Sequence, residues 1–135
     1  MSADAFLDTN VVVYAFATDA AKADIAERLL ETGGVVSVQV LNELANVARR
    51  KMRLGFPELR EALDAVRALC RVVPVTVEAH ELAIELAARH RLGIFDAVIV
   101  ASASLAGCRT LYSEDLQHGA KLGQLTVRNP FVQQR

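Results

Sequence analysis

The chain has 135 residues, with 15 Lys and Arg residues against 16 Asp and Glu residues and a net charge of −1 at pH 7. Hydrophobic residues make up 53% of the sequence, which excludes wholesale disorder and suits a single domain over residues 1–135. The near-neutral charge, the lack of tryptophan and the 5% aromatic content disfavour a strongly basic nucleic-acid-binding surface or a base-stacking platform.

Short β-branched segments alternate with longer helical segments along the chain. The first part of the apolar segment 5–17 is predicted to be a buried strand, and shorter strands are predicted at 35–36, 72–75, 109–112 and 124–127. Helices are predicted at 20–31, 38–52, 57–70, 77–91 and 95–106, with Ser37 and Thr76 as N-caps of two of them. This alternation predicts an α/β fold in which helices cover both faces of a small central parallel sheet.

The cysteines and the apolar segments indicate the compartment. Cys70 and Cys108 lie in apolar helical sequence, where reduced and buried thiols are expected. The N-terminal residues do not follow the pattern of a secretory signal peptide, and the sequence has no run of about 18 uncharged apolar residues that could span a membrane. We therefore expect a cytoplasmic protein that is not associated with a membrane.

Four acidic residues stand where apolar or strand-terminal sequence makes an unpaired carboxylate costly. They are Asp8, Glu43, Asp96 and Asp115. Asp8 and Asp115 follow predicted strands, whereas Glu43 and Asp96 are expected near the starts of helices that follow sheet strands. Each could individually be a cap, a loop residue or a solvated helix residue. Together, however, all four could meet at one edge of the sheet, where open parallel sheets bind ligands.

Carboxylates that share a cavity repel one another and cannot all remain ionised without a counter-charge. A hard divalent cation with oxygen ligands satisfies this requirement, and Mg²⁺ keeps several water ligands that leave room for a phosphate. Such a site can polarise a phosphodiester and activate water. The acidic pattern therefore predicts a magnesium-dependent reaction at a phosphate ester.

Four sequence blocks also carry a family resemblance. They are FLDTNV at 6–11, VLNEL at 40–44, FDAVIVASA at 95–103 and LYSEDL at 111–116. In the order and spacing of these blocks, the chain resembles the PIN-domain family and, within it, the VapC-type ribonuclease toxins of type II toxin–antitoxin systems. The resemblance implies a Mg²⁺- or Mn²⁺-dependent endoribonuclease, an RNA substrate, a cognate antitoxin that fills the active-site groove, and a homodimer.

The resemblance also assigns site residues one by one. The acidic positions of the family, expected to be catalytic, match Asp8, Glu43, Asp96 and Asp115. Its supporting polar positions match Thr9, Asn10 and Ser113. By this resemblance, Asp8, Asp96 and Asp115 would bind the metal directly, and Glu43 would complete the site through water or a second metal ion. The neighbouring Glu114 leaves open which of two adjacent acids faces the metal, and Asp115 is the predicted one.

A basic run follows Glu43 and has two interpretations. It consists of Arg49, Arg50, Lys51 and Arg53. Positive charge at a helix C-terminus is favourable in itself. The same residues could contact phosphates and orient RNA beside the acids.

Two other functions fit parts of the pattern. A non-catalytic RNA- or partner-binding module could contain the same acids as a vestigial cluster, although the presence of all four argues against decay. An aspartyl-phosphate phosphatase could use Asp8 as its nucleophile, but such enzymes need a second aspartate two residues later, where this chain has Asn10.

Overall fold

The computed structural model describes residues 5–132, so the outermost residues of the predicted domain, 1–4 and 133–135, lie outside the description. The strands of this part are β1 (Ala5–Leu7), β2 (Val35–Ser37), β3 (Arg71–Val73), β4 (Thr110–Tyr112), β5 (Lys121–Leu122) and β6 (Leu125–Arg128). They form one sheet in the order β3-β2-β1-β4-β6-β5. Neighbouring strands are parallel except for the antiparallel pair β5–β6.

Helices connect and flank these strands. They are α1 (Thr9–Tyr14), α2 (Ala20–Thr32), α3 (Val38–Arg50), α4 (Phe56–Leu69), α5 (Val77–His90) and α6 (Ile94–Leu105). The side chains of Ser37 and Thr76 accept hydrogen bonds from backbone N–H groups in the first turns of α3 and α5, which confirms both predicted caps. None of the helices in residues 5–132 has the length and apolar character needed to cross a membrane. The predicted α/β architecture is confirmed.

The core lies between the central strands and the helices. Phe6 of β1, Val36 of β2 and Leu111 of β4 are fully buried, and so is Val66 of α4. Burying a side chain of this size stabilises the fold by roughly 1.5–3 kcal/mol. These contacts hold the carboxyl ends of β1, β2 and β4 in fixed positions, and the predicted site residues follow these ends.

Two features of the connectivity differ from the prediction. Asp96 does not lie on a helix that follows a strand, because α6 follows α5 directly. Arg91 ends α5 in the left-handed conformation (φ 56°), and α6 begins directly after Gly93. Ala83 of α5 packs against Ala97 and Ala101 of α6, and these small side chains let the two helices pack as a pair. Alanines of both helices are thus buried where α5 and α6 contact each other.

The strand β5 was also not predicted. It has only two residues, and it pairs with β6 across a turn that contains Gly123 at φ 66°. A positive φ is favourable for glycine because it has no Cβ atom. The sheet therefore ends in a short antiparallel hairpin on the β4 side, which is the one departure from the predicted parallel sheet among the described strands.

Candidate active site

The site begins where the adjacent strands β1 and β4 end. Their parallel register places Leu7 beside Tyr112, and the Asp8 N–H donates to the Tyr112 carbonyl at 3.0 Å. The next residue of each strand therefore lies at the same edge. The Ser113 hydroxyl donates to Asp8 Oδ2 at 2.8 Å, and both residues are buried. Sheet register thus brings together two predicted site residues that are 105 positions apart.

Asp8 is both a helix cap and a buried acid. Its Oδ1 atom accepts from the Thr9 N–H at 2.7 Å at the start of α1, and only 4% of the residue is exposed. Burial raises its pKa to about 6, even though the hydrogen bonds from Ser113 and Thr9 act in the opposite direction. The negative charges of Asp96 and Asp115 contribute to this raised pKa. Ionisation of Asp8 is therefore unfavourable in this buried and negatively charged environment.

Asn10 connects Asp8 to the loop after β4. Its Nδ2 group donates to Asp8 Oδ2 at 3.2 Å and to Asp115 Oδ2 at 3.1 Å. Its Oδ1 atom accepts from the Glu114 N–H at 2.9 Å. Both ends of one amide side chain are thus used to hold the two acidic segments against each other.

Glu43 approaches from α3. Its Oε1 atom accepts a hydrogen bond from the Thr9 hydroxyl, and its Oε2 atom accepts from Gln39 Nε2 at 3.3 Å. Gln39 lies one helical turn before Glu43, a spacing at which side chains on a helix meet. Gln39 was not predicted from the sequence, although this spacing could have indicated it.

Asp96 completes the group from the first turn of α6, where it is half-buried. Its pKa is raised by burial first, and then by the negative charges of Asp115 and Glu43. The four predicted acids, Asp8, Glu43, Asp96 and Asp115, therefore influence one another electrostatically. We refer to these four residues as the acid cluster.

The acid cluster has the donor chemistry of a site for a hard divalent cation, because carboxylate oxygens are the ligands that Mg²⁺ prefers. Burial is the main reason why the pKa of Asp8 and of Asp96 is raised, and the repulsion among the acids adds to it; a cation would offset this repulsion. Within residues 5–132, however, no three His, Cys, Asp or Glu side chains are arranged as a finished ligand set. A metal ion bound here would therefore draw the carboxylates closer together.

The adjacent acids Glu114 and Asp115 occupy different environments. Glu114 Oε2 is 2.7 Å from Lys22 Nζ, and its Oε1 atom accepts from the Tyr14 hydroxyl at 2.8 Å. The hydrogen bond from Lys22 is the main reason why the pKa of Glu114 is lowered. Asp115 instead receives the Asn10 amide that also contacts Asp8. Of the two acids, Asp115 is therefore the one that shares a hydrogen-bond donor with Asp8 of the acid cluster.

The sequence also matches a family model. The model of the PIN domain matches residues 5–120, which is most of the chain. The chain belongs to the PIN domain family. No curated protein matches it. The predicted resemblance to PIN domains, and to VapC-type chains within them, is confirmed.

Solved structures give the same result for this PIN domain. The toxin VapC20 of Mycobacterium tuberculosis, described as cleaving the sarcin–ricin loop, is 27% identical with a TM-score of 0.67 over 82% of this chain and 89% of that one. A toxin–antitoxin complex from Klebsiella pneumoniae contains a chain that is 20% identical, with a TM-score of 0.72 over 94% and 98% of the two chains. VapBC2 from Rickettsia felis, bound to promoter DNA, is 20% identical with a TM-score of 0.67 over 93% and 97%. The last two likenesses show the shared fold.

A cavity of about 620 Å³ opens beside the acid cluster of the PIN domain. Its lining includes the predicted site residues Thr9, Asn10, Glu43 and Asp115. Asn42, Asn46 and Lys51 also line it, and the two asparagines were not predicted. They lie on the same helix as Glu43, one residue before it and three residues after it, so helical spacing was the available signal.

The basic run divides at this cavity. Lys51 lines it, whereas Arg49, Arg50 and Arg53 do not belong to its lining. The Arg49 guanidinium instead lies 4.1 Å from the centre of the Phe56 ring and donates to the Leu54 carbonyl at 2.9 Å. Arg49 thus stabilises the end of α3, which is the structural interpretation of the basic run, while Lys51 lies at the cavity beside the acid cluster.

Proposed function

We propose that this PIN domain is a metal-dependent endoribonuclease that hydrolyses RNA phosphodiester bonds, and that it is the toxin of a toxin–antitoxin pair. The observation that carries the proposal is the acid cluster itself. Four carboxylates from separate segments meet at one sheet edge, and their mutual repulsion contributes to the raised pKa of Asp8 and Asp96. A protein with no use for a cation would gain stability by losing this repulsion.

In this proposal Asp8, Asp96 and Asp115 hold Mg²⁺, with Mn²⁺ as an alternative. Their hard oxygen donors suit either ion, and Mg²⁺ is commonly held by few carboxylates together with substrate phosphates. The bound cation would supply charge neutralisation and Lewis-acid polarisation at the scissile phosphate.

The remaining residues of the site orient the reactants. The Thr9 hydroxyl and the Gln39 amide fix the Glu43 carboxylate, which orients the attacking water and accepts its proton. Asn10 and Ser113 fix Asp8 and Asp115. Such fixed geometry accelerates a reaction because the orienting entropy is already lost before the substrate binds.

The remaining features of the proposal concern partners. The cavity of about 620 Å³ with Lys51 at its border can take an RNA phosphate next to the acid cluster. The likeness to a toxin that cleaves the sarcin–ricin loop supports RNA as the substrate, and the likeness to toxin–antitoxin complexes supports an antitoxin partner. We also propose that the chain forms a homodimer in the cytoplasm.

The proposal is tested by incubating a panel of structured and unstructured RNAs with the purified protein in Mg²⁺ and in EDTA. We expect cleavage in Mg²⁺ only, and its loss in Asp8→Asn and Asp96→Asn. Asp64→Asn, an exposed acid on α4, is the matched control and should cleave at the wild-type rate. RNA that is bound but never cleaved would favour a binding module instead, and cleavage that survives EDTA and both substitutions would refute the mechanism.

A further inference from the structure

A second cluster, built around Lys22, lies next to the acid cluster. Lys22 Nζ is 2.7 Å from Glu114 Oε2 and 3.2 Å from the Tyr14 hydroxyl oxygen, and that hydroxyl donates to Glu114 Oε1 at 2.8 Å. The lysine nitrogen also lies 4.6 Å and 5.3 Å from the ring centres of Tyr14 and Phe131, which contact each other edge to face at 4.9 Å. Both oxygens of the Glu114 carboxylate are therefore occupied.

We refer to Lys22, Tyr14, Glu114 and Phe131 as the clamp. The clamp is more than a surface ion pair. The side chains of Lys22 and Glu114 are only 31% and 27% exposed, and three aromatic or charged partners converge on one ammonium group. For comparison, the pair Arg28–Asp24 on α2 is 75% and 60% exposed and joins residues one turn apart. A half-buried, multiply bonded pair restricts its members much more than an exposed pair does.

The clamp is continuous with the acid cluster through one peptide segment. The Glu114 N–H donates to Asn10 Oδ1, and the Nδ2 group of the same Asn10 donates to Asp8 and Asp115. Glu114 is thus held at its backbone N–H by Asn10 and at its carboxylate by Lys22, immediately before the peptide bond that leads to Asp115.

The fixed orientation matters because Glu114 and Asp115 both line the same cavity. Glu114 is one methylene longer than an aspartate, so a released Glu114 side chain could enter the cavity and add a fifth negative charge to the acid cluster. We infer that Lys22, assisted by Tyr14, is a positioning residue. It holds the Glu114 carboxylate away from the acid cluster, so that Asp115 keeps its place beside Asp8. The catalytic consequence of this inference rests on the proposed function.

The first test compares Lys22→Met with Lys22→Arg and with Arg28→Met, which removes the exposed ion pair as a matched control. Mn²⁺ affinity is measured by calorimetry, and kcat and KM are measured on a cleaved RNA. We expect Lys22→Met to lower kcat by about tenfold, because Glu114 then competes with Asp115 for its position. It should also tighten Mn²⁺ binding by about tenfold, because a further carboxylate attracts the cation; both changes have a size typical of coupling between residues in contact. KM should change little, Lys22→Arg should restore both values, and Arg28→Met should match the wild type.

The second test asks whether Lys22 acts through Glu114. In a Glu114→Gln background the released carboxylate no longer exists, so Lys22→Met should have no further effect on Mn²⁺ affinity. An equal effect in both backgrounds would overturn the inference, because Lys22 would then act independently of Glu114. A change confined to KM would also overturn it, because Lys22 would then be a direct RNA contact. Tyr14→Phe, which removes only a hydroxyl, provides a milder variant should Lys22→Met melt without cooperativity, and it should change Mn²⁺ affinity in the same direction by a smaller factor.

A third measurement separates this inference from the proposed function. The side-chain amide of Asn10 contacts Asp8 and Asp115, so its NMR cross-peak reports their arrangement without metal or RNA. Lys22→Met should shift this cross-peak and Arg28→Met should not. If the wild type neither binds Mn²⁺ nor cleaves RNA, the proposed function fails, and the shift alone supports the positioning role. An unshifted cross-peak in Lys22→Met would overturn it.

Discussion

Replacing Asp8 with asparagine is expected to stabilise the metal-free protein at neutral pH while abolishing RNA cleavage. Burial raises the Asp8 pKa from 3.8 to about 6, and the charges of Asp96 and Asp115 contribute to this rise. Between these two pH values the folded protein keeps a proton that the unfolded chain has released. Stability from this group is therefore present at low pH and is lost as the pH rises through 6.

The magnitude follows from the size of the shift. A shift of roughly two pKa units at about 1.36 kcal/mol per unit means that ionised Asp8 costs the fold about 3 kcal/mol at pH 7.5. Asparagine removes that cost and can still cap α1 through its oxygen. It loses the Oδ2 acceptor used by Ser113 and Asn10, at a cost of about 1–2 kcal/mol. The expected net gain for Asp8→Asn is therefore about 1–2 kcal/mol at pH 7.5.

Urea unfolding in EDTA measures this gain. The stability of Asp8→Asn relative to the wild type should fall by about 2 kcal/mol between pH 7.5 and pH 4.5, because the wild-type carboxylate becomes protonated in the folded state. Asp64→Asn, at an exposed position, should show no such dependence. A variant that is no more stable than the wild type at pH 7.5, with a difference that does not change with pH, would refute the account of Asp8 as a costly carboxylate.

Three further changes test other parts of the site. Saturating Mg²⁺ at ~1,000 times Kd should stabilise the wild type by roughly 4 kcal/mol and raise its melting temperature accordingly. The melting temperature of Asp96→Asn should rise much less. Equal shifts of the two proteins in differential scanning fluorimetry would exclude Asp96 as a ligand. Ser113→Ala removes a buried donor to Asp8 and should cost about 1–3 kcal/mol in urea unfolding, whereas an unchanged midpoint would contradict the hydrogen-bonding pattern. Lys51→Met should raise KM for RNA severalfold, by loss of one phosphate contact, while Arg53→Met should not; equal values would remove Lys51 from the RNA-binding surface.

Much of the fold could be predicted because its signals are local. Ser37 and Thr76 have cap chemistry, and the β-branched segments are short and bounded by helix-forming sequence. The helix α1 was not predicted because its Val-rich sequence favours a strand. The Asp8 cap and the packing of α1 beside α3 override this preference. Both helices of the α5–α6 pair were predicted, but their contact with each other was not, since close helix packing depends on which alanines face each other.

In the candidate site, too, local sequence signals indicate some residues, whereas long-range contacts could not be predicted. Asp8 stands out in the sequence because it interrupts an apolar run, and its position after β1 follows from strand order. The family resemblance predicts Asp115 rather than Glu114, but the contacts that separate these two adjacent acids could not be predicted. The Glu114 carboxylate is bound by Lys22, which lies 92 positions away, and a single sequence carries no signal over that separation.

Near-neutral net charge initially disfavours a nucleic-acid partner, but it conceals an uneven distribution. Four of the 16 acidic residues are gathered in the acid cluster, where a bound cation would provide the positive charge that meets a phosphate. RNA affinity should therefore depend on the metal more than on a broad basic surface.

X-ray diffraction from crystals soaked in Mn²⁺ shows whether the acid cluster binds a metal ion, because the anomalous signal of the ion locates it without reference to activity. We expect an anomalous peak between the carboxylates of Asp8, Asp96 and Asp115, with Glu114 still bound to Lys22. No peak at the acid cluster, or a peak held by Glu114 in place of Asp115, would contradict this expectation.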